Sequence, residues 1–191
     1  MISAFEYVTV FISIILGLGV TQILTGIADL VHQNERVKVY WPHMVWVLLV
    51  LILHVQEWYI TFELRTFSAW RLPVFLFVLL YPIILFITAR LLFPFGLNDE
   101  TFDLKDFYYK NYRKIFLFGA ILALLSIFHD LIMRVSVPED FVGPALVLTL
   151  LSSMALFKIS KPIVHKIVAL FMLTILIASI IIQWNEWLIV N

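Results

Sequence analysis

The stretch LILHVQEWYITFELR, residues 51–65, places an imidazole and a carboxylate inside an otherwise apolar segment. His54 and Glu57 are three residues apart, so on an α-helix they share one face. A histidine and a carboxylate on one face can pass a proton between them or bind a cation. An ionisable group in the middle of a membrane span costs about 2.5–3.5 kcal/mol, so such groups usually face the bundle interior. We therefore expect an inward-facing proton-relay or binding site built on this pair.

Two further apolar segments carry ionisable groups at a similar depth. His129 and Asp130 lie near the end of the fourth segment, Arg134 follows one turn later, and Glu186 lies near the end of the sixth. If these helices converge, the side chains form one outward-facing polar pocket. Two structural alternatives stay open: Asp130 and Arg134 can form an i,i+4 ion pair, and His54 can stay neutral and hydrogen-bond a neighbouring helix. The candidate set for binding or proton relay is His54, Glu57, His129, Asp130, Arg134 and Glu186.

The same residue types can bind a metal. His54, Glu57, His129 and Asp130 supply nitrogen and oxygen donors that divalent metals accept. A di-iron carboxylate bundle needs Glu-x-x-His on two helices, whereas the pair on the second span has the reversed order, His-x-x-Glu. A haem ligated by both His54 and His129 needs the two imidazoles at the same depth in the membrane. The predicted span limits place them at different depths. We predict no cofactor, and metal or haem is the alternative.

A different pattern marks the first apolar segment, FISIILGLGVTQILTGIADL. Small and polar residues recur at every fourth position, with a glutamine beside them. Small residues at this spacing let helix backbones approach closely in a membrane, and threonine hydroxyls hydrogen-bond across such contacts. Tight helix packing is one interpretation, and a hydrated path for a solute is the other. The set is Ser13, Gly17, Thr21, Gln22, Thr25 and Asp29.

The composition shows which kind of structure must position these residues. Of 191 residues, 63% are hydrophobic and the mean hydropathy is +1.02, whereas soluble domains are about 45–50% apolar. A bilayer core of about 30 Å takes about 20 residues of helix. We expect an all-α integral membrane protein, a six-helix transmembrane bundle that forms a single domain over residues 1–191. The predicted spans are 5–31, 41–62, 73–95, 114–133, 141–157 and 167–188.

Basic residues are distributed unevenly between the two sides of such a bundle, nine on one side and three on the other. The positive-inside rule places the nine in the cytoplasm and both termini outside the cytoplasm. The first segment has no basic residue before it and is longer than a signal-peptide core, so we expect it to remain as a helix. The expected location is the cell membrane, such as a bacterial inner membrane. The aromatics expected at the inner boundary are Tyr40, Trp41, Tyr108, Tyr109 and Tyr112.

The only sizeable connection, residues 97–114, bears mixed charges. This pattern favours an interfacial extension of the fourth helix, and a docking surface for a soluble partner is the alternative. The similar segment ends GIADLV and IFHDLI are weakly consistent with a 3+3 inverted repeat. A net charge of zero gives no indication of nucleic-acid binding, and the absence of cysteine excludes thiolate chemistry and disulfides.

These observations favour a transporter or channel-like protein that moves protons, cations or a small solute through the site on His54 and Glu57. Six short helices make a narrow path, so we expect a homo-oligomer. A non-catalytic scaffold or sensor subunit is the second hypothesis, and a metal- or haem-dependent membrane enzyme is the third. The chain contains no Gly-rich phosphate loop, GxSxG elbow or HExxH helix, so the enzyme classes that use these motifs are not indicated.

Overall fold

The computed structural model describes residues 3–67, 70–94, 101–133 and 141–182. Over these residues the chain is helical apart from one pair of two-residue strands. A 3₁₀ helix, Thr61–Thr66, continues the second α-helix, and the strands are β1 Val37–Lys38 and β2 Phe102–Asp103. The α-helices are α1 Ala4–His32, α2 Trp41–Ile60, α3 Leu72–Leu91, α4 Leu104–Met133, α5 Val142–Leu156 and α6 Pro162–Ile182.

The helix lengths bear on the predicted membrane spans. Five helices are long and apolar enough to cross a membrane: α1, α2 with its 3₁₀ extension, α3, α4 and α6. α5 has 15 residues, about 22 Å of helix, and is shorter than an apolar core of about 30 Å. The predicted all-α architecture is confirmed, and the five long helices are compatible with a multi-pass membrane protein. A sixth full crossing, the side on which the termini lie and the 3+3 repeat stay predictions.

Local sequence explains where several helices begin. The Ser3 hydroxyl accepts a hydrogen bond from the Glu6 backbone N–H (3.1 Å), and the Glu6 carboxylate accepts one from the Ser3 N–H (2.7 Å). This capping box satisfies N–H groups near the start of α1 that have no partner within the helix. Pro42, Pro73 and Pro162 lie in the first two positions of α2, α3 and α6, where a missing N–H breaks no helical hydrogen bond.

α4 begins at Leu104 and not at residue 114, where the span was predicted to start. Asp103 caps the helix, because its Oδ1 accepts a hydrogen bond from the Lys105 backbone N–H (2.7 Å). β2 pairs in parallel with β1 just before this cap, and the Phe102 N–H donates to the Arg36 carbonyl (2.8 Å). The predicted extension of the fourth helix is therefore confirmed from residue 104 onward, while residues 97–100 lie outside the described part of the chain.

The bundle has two distinct ends. His43 near the start of α2 and His165 near the start of α6 both contact the ring of Tyr108 in the first turns of α4. The end at which α2, α4 and α6 begin is termed the basal end. At the opposite, apical end, Phe5 of α1 contacts Phe62 of the 3₁₀ helix, with ring centroids 6.5 Å apart. α1 packs mainly on α3, α3 also on α4, and α4 on α5, whereas α2 contacts α1, α3 and α6.

Gly26 is one of the points of closest approach between helices. A Cβ atom at Gly26 would overlap the ring of Phe93, which follows the end of α3 and is buried. Gly17, on the same helix, would tolerate a Cβ atom, since nothing lies within 4 Å of its position. Gly26 and Gly17 therefore differ in what they contribute to packing.

We expect Gly26→Ala to lower the free energy of unfolding by about 1–3 kcal/mol, because the added methyl group overpacks the Phe93 contact. Gly17→Ala is the matched control, and its higher helix propensity is expected to leave stability unchanged or to raise it by up to about 1 kcal/mol. Thermal unfolding in detergent, followed by circular dichroism, measures both. Equal unfolding temperatures for the two variants would contradict the contact between Gly26 and Phe93.

Candidate functional site

His54 is the fourteenth of the 20 residues of α2, and its side chain is 1% exposed. Its Nδ1 lies 2.7 Å from the Val50 carbonyl oxygen, one turn earlier in the helix. Because a carbonyl oxygen only accepts, Nδ1 donates this bond, and Nε2 of the neutral ring is left as an acceptor. Nε2 is buried and has no hydrogen-bond partner in the part of the chain that the structure describes.

Gly19 of α1 makes the space for this ring. A Cβ atom at Gly19 would overlap Nε2 and Cδ2 of His54, so the edge of the imidazole lies directly against the α1 backbone. The side chain of His54 therefore points into the bundle, toward α1. Its contact with Gly19 sets how closely α1 and α2 approach at this level.

Glu57 lies one turn apical to His54 and is half-buried. The helical hydrogen bonding continues past Glu57, since the Thr61 backbone N–H donates to the Glu57 carbonyl, and the Thr61 hydroxyl donates to the same oxygen (2.7 Å). Thr61 itself is buried, which places this edge of α2 inside the molecule. The two ionisable residues of the opening stretch are thus successive groups along one partly enclosed helix edge.

Of the remaining members of the predicted pocket, only His129 has a side chain that the structure describes, so convergence of the whole set stays a prediction. His129 is half-buried on α4, and Asp130 lies in the same helix, where its side chain is not described. Arg134 and Glu186 fall outside the described residues. Among the residues that are described, no three His, Asp or Glu side chains lie close enough to hold a metal ion. His54, Glu57 and His129 therefore do not form a metal site by themselves.

The stripe predicted on α1 lies mostly on the outside of the chain. Gly17, Thr21, Thr25 and Asp29 are exposed, whereas Ser13 and Gln22 are half-buried. The buried face carries Gly19 and Gly26 instead. Steps of four residues turn by about 40° each around a helix with 3.6 residues per turn, so a stripe of fourth residues drifts away from any fixed contact. Tight helix packing through this stripe, or a solute path along it, stays a prediction.

A second cluster of buried polar groups occupies the basal end. His43, Tyr108 and His165 are each 0% exposed. The Tyr108 hydroxyl lies 2.8 Å from His165 Nδ1, and His165 Nε2 lies 2.8 Å from the Ile159 carbonyl oxygen. Since the carbonyl can only accept, Nε2 carries the proton of the neutral ring, and the Tyr108 hydroxyl donates to Nδ1. This chain of two hydrogen bonds joins α4, α6 and the α5–α6 connection.

His43 joins the same cluster to α3. Its Nε2 donates to the Leu92 carbonyl oxygen (2.9 Å), just beyond the end of α3. Its Nδ1 is buried without a partner among the described residues. The ring packs edge-on against Phe107 and Tyr108, with centroid distances of 5.8 and 5.9 Å. The cluster therefore ties together parts of α2, α3, α4 and α6.

Sequence reasoning missed this cluster. It gave Tyr108 and Tyr112 only a position at the membrane boundary, which stays a prediction, and did not anticipate that both are buried in the bundle. It gave no role to His43 or His165. One signal was present, because Tyr108, Tyr112 and Phe116 recur at every fourth residue and share a face of α4. The histidines carried no comparable signal, since single residues in apolar segments do not reveal which helix they will meet.

Comparison with known proteins adds no assignment. No protein-family model, no curated protein sequence and no solved structure matches this chain. The geometry of His54 and of the basal cluster is therefore the basis for a functional proposal.

We expect Gly19→Ala to destabilise the chain and His54→Ala to relieve that cost. The single change forces its methyl group into the space of the imidazole, whereas the truncated side chain at position 54 leaves room for it. In a double-mutant cycle of unfolding free energies, the coupling is expected to reach about 1–3 kcal/mol. Gly17→Ala combined with His54→Ala is the control, and its two effects should add. Additive effects at positions 19 and 54 would refute the contact.

We expect Tyr108→Phe to destabilise the chain by about 1–3 kcal/mol, because it leaves a buried acceptor on His165 without its donor. Tyr112→Phe is the matched control, since no hydrogen bond of its hydroxyl is found among the described residues. Thermal unfolding in detergent gives the cost, and ¹⁵N NMR of labelled histidine reports whether Nδ1 of His165 loses a hydrogen bond. An unchanged His165 signal in Tyr108→Phe would contradict the assignment.

Proposed function

We propose that the chain is a small transporter or channel-like membrane protein in which His54 takes up and releases a proton as α1 and α2 change their contact. The observation that supports this is the His54 Nε2 atom, buried without a partner against Gly19 within a span. Buried polar groups without partners are rare in native structures and need an explanation such as stored strain or a catalytic role. The expected cargo is the proton itself, a cation, or a small solute whose movement is coupled to it.

Protonation would change the α1–α2 contact directly. It gives His54 a second N–H, at Nε2, together with a positive charge. In the observed packing this N–H would point at Gly19, where no acceptor is described. An unsatisfied buried donor costs about 1–3 kcal/mol, and an unpaired buried charge costs more. Proton uptake therefore favours a state in which α1 and α2 separate at this level or the imidazole leaves the space at Gly19.

Glu57 is the acceptor that such a state would use. Its carboxylate is carried one turn toward the apical end, on the edge of α2 that it shares with His54. A proton leaving Nε2 would move to the carboxylate, directly or through one water, and would leave a neutral imidazole and a carboxylic acid. The pair thus provides two successive positions for a proton between the middle of the span and the apical end.

The exposed stripe of α1 is the second element of the proposal. Thr21, Thr25 and Asp29 face outward from a single copy. A path lined by these residues would require another copy of the chain to enclose it, in line with the expected homo-oligomer. Opening of the α1–α2 contact would then connect this path with His54.

We expect purified protein in liposomes to carry a proton flux that His54→Gln reduces at least about tenfold, because the relay loses its titratable group. The flux is driven by an imposed pH gradient and read with a trapped pH-sensitive dye. Glu57→Gln is expected to reduce the flux as well. His32→Gln is the matched control, because His32 is exposed at the end of α1. Full flux in His54→Gln would remove His54 from the mechanism.

A second measurement separates the conformational step from transport. The chain contains no cysteine of its own. Two cysteines introduced in place of Tyr7 on α1 and Val55 on α2, which are both exposed, can therefore be spin-labelled without background. The distance between the labels is expected to increase as the pH is lowered, and His54→Leu should abolish the change. A pH-independent distance in the native background would overturn the proposed coupling.

A further inference from the structure

A cluster of cations lies where α4 and α5 meet at the basal end. Lys110, Arg113 and Lys114 are exposed on α4, and their spacing makes them neighbours on the helix surface. Like charges at this spacing destabilise a helix by about 0.2–0.5 kcal/mol per pair. Within the described residues, no ion pair of these three side chains is found. Asp106, one turn before Lys110, is the nearest carboxylate along α4, so one acidic side chain stands against three cations.

Arg113 connects this cluster to the end of α5. Its Nε donates to the Ala155 carbonyl oxygen (2.8 Å), one of the carbonyls that the last turn of α5 leaves without a helical partner. The bond uses one of the five N–H groups of the guanidinium. The N–H groups on the two Nη atoms, a planar pair suited to phosphate oxygens, stay available beside the end of α5.

Lys158 adds a fourth cation three residues beyond Ala155, in an unusual backbone conformation. Its φ angle is 51°, which lies in the left-handed region that normally favours glycine after a helix. A lysine there carries a conformational cost that glycine would not. Strained residues of this kind occur preferentially at binding and switch sites. The position is therefore occupied by a cation although a neutral residue would fit the backbone better.

Two large apolar side chains directly precede Lys158 in the chain and follow Ala155, to which Arg113 is bonded. Phe157 and Leu156 are 77% and 68% exposed. α4, with 30 residues or about 45 Å, exceeds an apolar core of about 30 Å by about ten residues, and its uninterrupted apolar part begins at Ile115. The cations of α4 are therefore placed at the edge of the bilayer, where headgroup phosphates lie. A soluble acidic partner would not account for the exposed Phe157 and Leu156, whereas acyl chains would.

We propose that Lys110, Arg113, Lys114 and Lys158 bind the phosphate of an anionic glycerophospholipid, with Phe157 and Leu156 against its acyl chains. The Nη groups of Arg113 and the lysine ammonium groups supply the charge-assisted hydrogen bonds. The lipid phosphate adds negative charge beside three α4 cations that Asp106 alone does not balance. The site is separate from the α1–α2 contact and does not depend on the proposed transport.

Lys158→Gly distinguishes lipid binding from a structural role. The variant relieves the left-handed strain, so the lipid-free protein should be at least as stable as the native chain. Its apparent affinity for phosphatidylglycerol should nevertheless fall about fivefold, the contribution of one cation near an anionic membrane surface. The double variant Lys110→Gln with Lys114→Gln should lower this affinity about twenty-five-fold, because each of the two lost cations contributes a factor of about five. Lys38→Gln is the control for charge, because Lys38 is an exposed cation on β1.

The measurement uses the whole chain in neutral detergent, titrated with phosphatidylglycerol or phosphatidylcholine. Native mass spectrometry counts the bound lipid molecules, and thermal unfolding measures the stability. Phosphatidylglycerol is expected to bind and to raise the unfolding temperature of the native chain more than phosphatidylcholine. Equal effects of the two lipids, or unchanged affinity in Lys158→Gly and in the double variant, would overturn the site. Equal stabilisation by millimolar inorganic phosphate would overturn its assignment to a lipid.

Discussion

A polar hydrogen that is buried inside a protein must find its acceptor there, because neither packed apolar side chains nor membrane hydrocarbon offers one. This requirement governs all three buried histidines, each of which donates to a backbone carbonyl. The pairs are His43 with Leu92, His54 with Val50, and His165 with Ile159. In each neutral ring one nitrogen is thereby fixed as the donor and the other as the acceptor. The three sites differ in what lies at the acceptor nitrogen. The Tyr108 hydroxyl donates to Nδ1 of His165. Nδ1 of His43 and Nε2 of His54 have no hydrogen-bond partner in the described part of the chain.

The same hydrogen bonds divide the bundle into a fixed part and a part suited to movement. At the basal end, the Tyr108–His165 bond and the bond from His43 to the α3 terminus connect α2 and α6 to α3 and α4. Further along, α2 meets α1 through an imidazole edge on the backbone of Gly19, with no hydrogen bond found between the two described surfaces at that point. In the proposed mechanism the basal cluster is therefore the pivot, and α1 and α2 separate above it when His54 takes up a proton.

The proposed lipid site acts on a different pair of helices. α4 and α5 form the most extensive helix pair, and Arg113 closes the α5 terminus through its bond to Ala155. A phosphate held there would fix the depth of α4 in the membrane, and with it the level of the basal cluster that α4 carries. Lipid binding would in this way stabilise the pivot without contacting His54 or Glu57.

Hydropathy and capping residues by themselves determined that the chain is helical, where most helices lie and where α1 begins, because these depend on short-range sequence alone. The spacing of His54 and Glu57 likewise determined that they share one face. Only the tertiary structure decided that this face meets Gly19, that Gly19 and Gly26 make the close contacts of α1 while Gly17 does not, and that Tyr108 and His165, 57 residues apart, form a buried hydrogen bond. The reason is physical: lipid and protein interior are equally apolar, so hydropathy cannot tell which side of a membrane helix faces its neighbours, and only packing of the whole bundle selects it.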